Sequence, residues 1–479
     1  MSYVSGVSRD QVLLFPEAVD DYLTEENPVR FIDAFVEGLD LKRLGFKKSI
    51  PKNTGRPPYD PSDFLRLYLY GYLNRIRSSR SLEKETHRNV EVMWLMRKLR
   101  PDFKTIADFR KENRKAFKKV FRQFNILCLE LDLFGKELVA VDGTKIKGVN
   151  SIYRNYPKSL LQKKLQEINE AIEGYLKDID ETDQRENDLP VLTPEELKKK
   201  IEALKGRQES YNQMMQEMEE TGESQVSLTD PDSRSFPKKF GVKVGYNAQV
   251  AVDGKHHLIV EQEVTNAVTD IDQLSSMSLK TKESLGVDTL KVVADSGYCN
   301  AKEIEACEDA NIEVYAPKIN TSKNPKKGLY GKEQFRYDVN NNCYYCPAGS
   351  KLTFRFESYE KRRNQRRRVL YYKGESCHAC SQKALCTESK DPRRITRCPE
   401  EGSIDRMNER IMQHPEIMGK RKQIVEHPFG TIKFWNHQNY FLMKGLEKVN
   451  AEFSLSSLAY NMKRVINILG VPKMIEALA

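Results

Sequence analysis

The sequence predicts an α/β protein: a mixed sheet with helices, preceded by an all-helical region and interrupted by two insertions. Three observations carry that prediction. From Asp60 to about Leu133, apolar residues recur three and four apart, the period of amphipathic helices. Short apolar runs of strand length begin only after Gly135. Among those runs lie a long, charged helical stretch and a basic, cysteine-bearing stretch, and neither has the sheet's pattern.

The helical region holds PSDFLRLYLYGYLNRIRSSRSLEKETHRNVEVMWLMRKL and, later, FRKENRKAFKKVFRQFNILCLEL. Pro57, Pro58 and Pro61 punctuate its start, and Pro101 separates two of its helices. Its faces are rich in Arg and Lys, which reads as ordinary solvation for one helix and as DNA binding for three in succession. ELVAVDG is then a short buried strand ending in Asp-Gly. Tyr156 to about Glu220 is charged and helix-periodic, broken near Pro190, and predicts a helical hairpin inserted into the sheet domain.

The sheet pattern resumes at VGYNAQVAVDGKHHLIVEQEVTN, two alternating segments around Asp253-Gly254, which predict a β-hairpin. A helix from Asp270 to Gly286, the strand LKVVADSGY, a short helix around AKEIEACEDA and the strand IEVYAP follow. That order matches a ribonuclease H-like mixed sheet. From Asn320 to about Cys398 the chain reads as irregular, and beyond it helices return, ending in LSSLAYNMKRVINIL, an amphipathic helix expected to pack on the sheet. The boundaries are thus 1–135 for a helical N-terminal DNA-binding domain and 136–470 for the catalytic domain. The latter contains a helical insertion at 155–235 and a cysteine-rich basic insertion at 320–400.

The chain has 479 residues, 39% of them hydrophobic and 31% charged, with a formal net charge of +10. A positive surplus gives a nucleic acid a favourable long-range field. No window approaches the roughly 20 apolar residues of a membrane span, and the first residues lack a basic segment followed by an apolar one. A cytoplasmic protein with reduced thiols is expected. Nine cysteines is an odd count, and five of them fall inside one short stretch, which reads as a local metal-ligand cluster rather than a disulfide framework.

Asp142 follows LVAV and Asp295 follows VVA, so each carboxylate stands at the end of an apolar strand. Aspartate is a poor strand former and costly to bury, so two in this position point to chemistry. A strand-terminal Asp capping the next turn, helped by Gly143 or by Ser296-Gly297, is the alternative that stays open. Glu426 lies in KRKQIVEHPFGTIK, where about 100° per residue brings Lys422, Glu426 and Lys433 onto one helical face. A surface Glu pairing with Lys422 is the other reading, and Pro428 is expected to kink the helix and move Lys433 off that face. Three converging carboxylates make a hard oxygen site for two Mg²⁺ or Mn²⁺ about 3.5 to 4 Å apart, suited to phosphodiester chemistry.

These residues carry a resemblance. The chain resembles the DDE transposases of bacterial insertion sequences, in the branch marked by a Y-x2-R-x3-E-x6-K helix. It does so through GRPPYDP, PDFKTIADFRKEN, VDGTKIKGVNS, TDPDSR, VGYNAQVAVD, ADSGY, VEHPFGTIK and FLMKGLEKVNAEFSLSSLAYNMKR. The resemblance implies a metal-dependent endonuclease and polynucleotidyl transferase in the bacterial cytoplasm or nucleoid. It implies Asp142, Asp295 and Glu426 as catalytic metal ligands and Lys433 as a phosphate contact. Its partners would be double-stranded DNA, both terminal inverted repeats and target, and a second copy of the chain or more in the DNA complex. The signature tyrosine position holds Gly419 and the arginine position Lys422, which lacks arginine's two-pronged contact. A transposase-derived DNA-binding protein without strand transfer, and a non-transposing ribonuclease H-like nuclease, are the alternatives.

Cys343-x2-Cys346 and Cys377-x2-Cys380, with Cys386 as a further ligand, suit one structural zinc ion held by four of these five; His378 is a substitute ligand and free thiols in a loop are the other reading. The same insertion carries KRRNQRRR, whose Arg362, Arg363, Arg366, Arg367 and Arg368 are expected to meet phosphates, and Tyr371-Tyr372, aromatics suited to stacking on bases. Cys128, Cys299 and Cys307 read as core residues.

Overall fold

The described chain opens with α1 (Pro28–Glu37), α2 (Leu41–Leu44), α3 (Pro61–Leu73), α4 (Ser79–Arg88), α5 (Val90–Leu95), α6 (Phe103–Glu112) and α7 (Arg114–Glu130). The structure is a computed structural model and describes residues 18–50, 57–184, 194–237, 241, 244–318, 322–362 and 365–478. The prolines start helices. Pro28 and Pro61 open α1 and α3, where Asn27 and Asp60 accept from the backbone N–H groups of Val29 and Ser62, and Pro101 precedes Asp102, which caps α6 in the same way. α3 is buried almost all round, through Phe64, Leu65, Leu67, Tyr68 and Tyr72 among others.

The sheet begins with β1 (Leu138–Lys147), which runs four residues past the Asp-Gly expected to end it. β2 (Asn155–Pro157) leads into α8 (Lys158–Gln184) and α9 (Pro194–Thr221), paired helices that return through β3 (Gln225–Ser227). Leu161, Ile168, Leu197, Ile201 and Met218 are their buried residues, and Pro190 lies outside the described residues. β4 (Arg234–Ser235), β5 (Val244–Asp253), β6 (Ile259–Thr265), α10 (Leu274–Leu285), β7 (Leu290–Ala294), α11 (Ala301–Asp309) and β8 (Ile312–Tyr315) follow. The strand order is β6-β5-β1-β7-β8, with β4 beside one end of β5. β5 and β6 run antiparallel to their neighbours, whereas β1, β7 and β8 are parallel. All ten residues of β5 are buried.

The stretch expected to be irregular is a second sheet. β9 (Arg336–Asp338), β10 (Cys343–Tyr345), β11 (Lys351–Arg362), β12 (Gln365–Gly374), the short α12 (Lys383–Cys386) and β13 (Arg394–Arg397) form a five-stranded antiparallel sheet in the order β13-β12-β11-β10-β9. Its buried apolar cluster, among the described residues, is Phe335, Tyr344, Leu352, Tyr372 and Ile395. So small a core leaves most positions of the β11–β12 hairpin polar, which hid the alternation.

α13 (Glu401–Gln413) and α14 (Pro415–Gly430) lead into a π turn, Thr431–Trp435, and the chain closes with α15 (Leu446–Leu469) and α16 (Val471–Glu476). α15 was expected to be amphipathic on the sheet. It is instead buried nearly all round from Val449 to Met462, wedged between α3, α7 and β6. Its Asn461 side chain accepts from Ile259 N at 2.9 Å and donates to Asn125 Oδ1 on α7 at 3.0 Å. Glu452, fully buried, accepts from the N–H groups of Leu442 and Met443 and pairs with Arg77 Nη1 at 3.3 Å. Arg77 also donates to the carbonyls of Tyr440 and His437. One continuous hydrophobic core therefore runs from Leu23 through the sheet to Met474.

Candidate active site

β1 and β7 are parallel, and their register pairs Leu138 with Lys291 through Val141 with Ala294. The next residues on the two strands are Asp142 and Asp295. In-register neighbours on parallel strands project to the same face, so the fold sets these carboxylates side by side where the pairing ends. Asp295 Oδ1 accepts from Gly297 N at 2.7 Å, capping the 3₁₀ turn Ser296–Tyr298. The capping alternative is thus real for Asp295, and it uses one of the two oxygens.

Asp142 Oδ1 accepts from Gly143 N at 2.8 Å, and Oδ2 pairs with Arg421 Nη1 of α14 at 3.0 Å. Burial pushes the Asp142 carboxyl up to about 6 despite Arg421, with the negative charges of Asp295 and Asp270 adding to the rise. A carboxyl with raised proton affinity and one cation at hand is a site that takes positive charge readily.

α14 lies over β1 and β7. Its sheet-facing stripe is Ile417, Arg421, Ile424, Val425 and Pro428, at helical spacing, which aims Arg421 at Asp142. Lys422 and Glu426, a step round the helix, are exposed. Lys433 leaves their face, as Pro428 suggested: the wider π turn carries it down to the strand, where its Nζ donates to Thr144 Oγ1 at 2.6 Å. Burial lowers the affinity of Lys433 for its proton. Thr144 and Asp142 alternate onto the same face of β1, so Lys433 and Arg421 both reach the strand beside Asp142.

On the other face of β1, Asp270 accepts from Lys145 Nζ at 3.0 Å, Asn247 Nδ2 at 2.7 Å and Gln249 Nε2 at 2.7 Å. Gln249 in turn accepts from the buried Tyr298 hydroxyl. Gly143 is required here, because a Cβ would collide with the Gln249 amide and come within 2.9 Å of Asp270 Oδ1. Sequence reasoning missed Arg421 and Asp270. The helical spacing of Arg421 with Ile417, Ile424 and Pro428 was the available signal for the first; for Asp270 the sequence offers none beyond an acid preceding a helix.

Among the described residues, no group of three or more His, Cys, Asp or Glu side chains is placed so that it could hold a metal ion. The nine cysteines are all free of disulfides. Cys346, Cys377, Cys380 and Cys386 line one small cavity, and Cys343 is not among them. Burial raises the Cys386 thiol, Arg393 pulls it back, and Cys377, Cys346 and Cys380 add to the rise. Cys128 and Cys307 are core residues and Cys299 is half-buried. Of the basic run, Arg363 and the side chain of Arg362 lie outside the described residues. Arg366 is exposed, Arg367 is half-buried and bonded to Cys398, and Arg368 pairs with Glu357 at 2.5 Å.

A mixed α/β sheet with paired acids at its strand ends, under a helix bearing cations, defines a class of acid-lined sites suited to phosphate chemistry. Two family models say which member of that class this is. Residues 17–112 match the Transposase domain (DUF772) family, and residues 345–466 match the Transposase DDE domain family. Both are transposase families, and together the two matches indicate an insertion-sequence DDE transposase. The DDE match includes Glu426 and Lys433 and begins after Asp142 and Asp295. No curated protein matches the sequence. Among solved structures, the piggyBac transposase synaptic complex with hairpin DNA is similar at 9% identity and a TM-score of 0.31, over 95% of this chain and 79% of that one. Among the described residues, no helix is long and apolar enough to cross a membrane.

Proposed function

We propose that this transposase cleaves DNA at the ends of its element and joins the 3′ ends to target DNA, with Asp142, Asp295 and Glu426 as its catalytic carboxylates. The observation that carries the reading is the register of β1 with β7, which brings two strand-end carboxylates together beneath α14. The same sheet, antiparallel on one side of β1 and parallel on the other, supports a ribonuclease H-like core. Asp142, Asp295 and Glu426 would hold two Mg²⁺ or Mn²⁺ ions, which supply activation of the attacking oxygen and stabilisation of the leaving one. An all-oxygen donor set fits those hard cations.

The chain's own residues account for the rest. Arg421 neutralises Asp142 and keeps a half-buried carboxylate ionised enough to bind a cation. Lys433, resting on Thr144, stands where a phosphate would meet the strand end. The helices of residues 1–135 and the exposed cations of the β11–β12 hairpin grip the duplex through phosphates. The protein then acts in the bacterial cytoplasm or nucleoid, as a homodimer or larger assembly that holds two element ends.

The test is cleavage of labelled duplexes carrying the element's flanking ends, in Mg²⁺ and in EDTA, beside gel-shift binding to the same duplexes. Wild-type protein should cut only with the metal. Glu426→Gln and Asp295→Asn should bind within about twofold of wild type and cut at least about 100-fold more slowly, having lost a metal-binding charge. A Glu426→Gln protein that still cuts removes the third carboxylate. Wild-type protein that binds and never cuts leaves the derived DNA-binding reading in its place.

A further inference from the structure

We propose that Cys346, Cys377, Cys380 and Cys386 bind one structural zinc ion that locks the ends of the second sheet, and that Cys343 is not a ligand. The four come from three separate segments: the turn after β10, the loop after β12, and the end of α12. They meet around a cavity of about 30 Å³, room for about one water or one ion. One cysteine from the turn after β10 and three from residues 377–386, converging on so small a space, is the donor count and chemistry of a closed, tetrahedral zinc site.

Local geometry suits metal-bound sulfur. Cys346-Pro347-Ala348-Gly349-Ser350 folds back, with Gly349 at φ +76°, so that Ser350 N–H points at Cys346 Sγ from 3.2 Å. A backbone N–H aimed at a metal-bound sulfur holds it in its orientation. At the end of β12, a Cβ on Gly374 would collide with Cys377 Sγ, so glycine is what lets that sulfur approach the sheet. The Arg393 guanidinium, which donates to the Cys386 carbonyl, adds positive charge beside the site.

Strand alternation decides against Cys343. It lies within β10, flanked by β9 and β11, and is fully buried. Tyr344 points into the small apolar cluster against which Cys346 also packs, so Cys343, one residue away, turns to the opposite face. The four remaining side chains line the cavity without already forming a ligand set. Zinc at about 2.3 Å from each sulfur would draw them in by χ1 rotation. The role follows from the core's size. An apolar cluster of five buried residues is small for five strands, and small sheets of this kind are commonly held by a metal or by disulfides.

Metal analysis of purified, reduced full-length protein tests this without reference to DNA cleavage, so it stands or falls apart from the proposed reaction. The expected content is about one zinc per chain. Titrating native protein with a mercurial should release that zinc as four thiols react, a readout that needs no variant to fold. Cys377→Ser and Cys386→Ser should each lower zinc content at least about fivefold, whereas Cys343→Ser should keep it. Protein that takes up no zinc when it is supplied during expression, iron in place of zinc, or loss of zinc in Cys343→Ser with retention in Cys386→Ser would each overturn the assignment.

Discussion

Replacing Asp142 with Asn should stabilise the metal-free protein while destroying its activity. The carboxyl is raised from an ordinary 3.8 to about 6, chiefly by burial. At about 1.4 kcal/mol per tenfold change in proton affinity, holding the group ionised costs the native state about 3 kcal/mol at neutral pH. Its side chain is 20% exposed, so solvent screening makes that figure an upper one. The sign is fixed by the direction of the shift. A raised native pKa contributes stability that is fully present below 3.8 and lost as pH rises through about 6. Wild-type protein in EDTA should therefore lose up to about 3 kcal/mol from this group between pH 4 and pH 7.5, and Asp142→Asn should not.

Scanning calorimetry in EDTA reads the effect. Unfolding entropy near 2.1 cal/mol/K per residue gives about 1 kcal/mol/K for 479 residues. The variant should then melt up to about 3 °C above wild type at pH 7.5 and within about 1 °C of it near pH 4. Adding Mg²⁺ should raise the melting temperature of wild type alone, because the ion replaces the missing compensation for a charge the variant lacks. A variant no more stable than wild type at pH 7.5, or one stabilised equally by Mg²⁺, would show that the buried Asp142 charge does not destabilise the metal-free fold.

Arg77→Ala should destabilise the fold by about 3 to 5 kcal/mol, because it strands the fully buried Glu452 and frees the carbonyls of Tyr440 and His437; denaturant unfolding measures this, and a loss below about 1 kcal/mol would contradict it. Replacing the exposed Arg366 and Lys422 by Ala should weaken DNA binding and flatten its salt dependence by up to about two in the log–log slope. Unchanged slopes in gel shifts across a salt series would move the DNA surface elsewhere.

Local rules made much of the fold legible. Capped, proline-started helices and apolar strand runs are short-range signals, and α3, β5 and β7 stand where those signals put them. β1 was read as ending at Gly143 because Asp-Gly usually marks a turn. The glycine is instead demanded by Gln249 and Asp270 crossing the strand, and only the β1–β5 pairing reveals that. The second sheet escaped notice because most positions of its hairpin are polar, over an apolar cluster of five residues. In the site, Asp142 and Asp295 could be singled out as strand-end acids, but their adjacency depends on a register no sequence spacing encodes. Arg421 was overlooked because a cation in a basic helix reads as solvated, although its neighbours at helical spacing are buried. The cysteine spacing pointed to a metal and could not exclude Cys343, since that choice turns on which face of β10 it takes.

On the proposed reaction, Asp142, Asp295 and Glu426 share divalent metal at the cleaved DNA end, and a crystal structure of the protein with its element end and Mn²⁺, read by anomalous scattering, would show it. Manganese is expected between Asp142 and Asp295 at about 2.2 Å from their oxygens, with Glu426 turned in to complete the site and Arg421 withdrawn from Asp142. Manganese bound on the Asp270 face of β1, or a Glu426 still in solvent with the DNA end engaged, would contradict it.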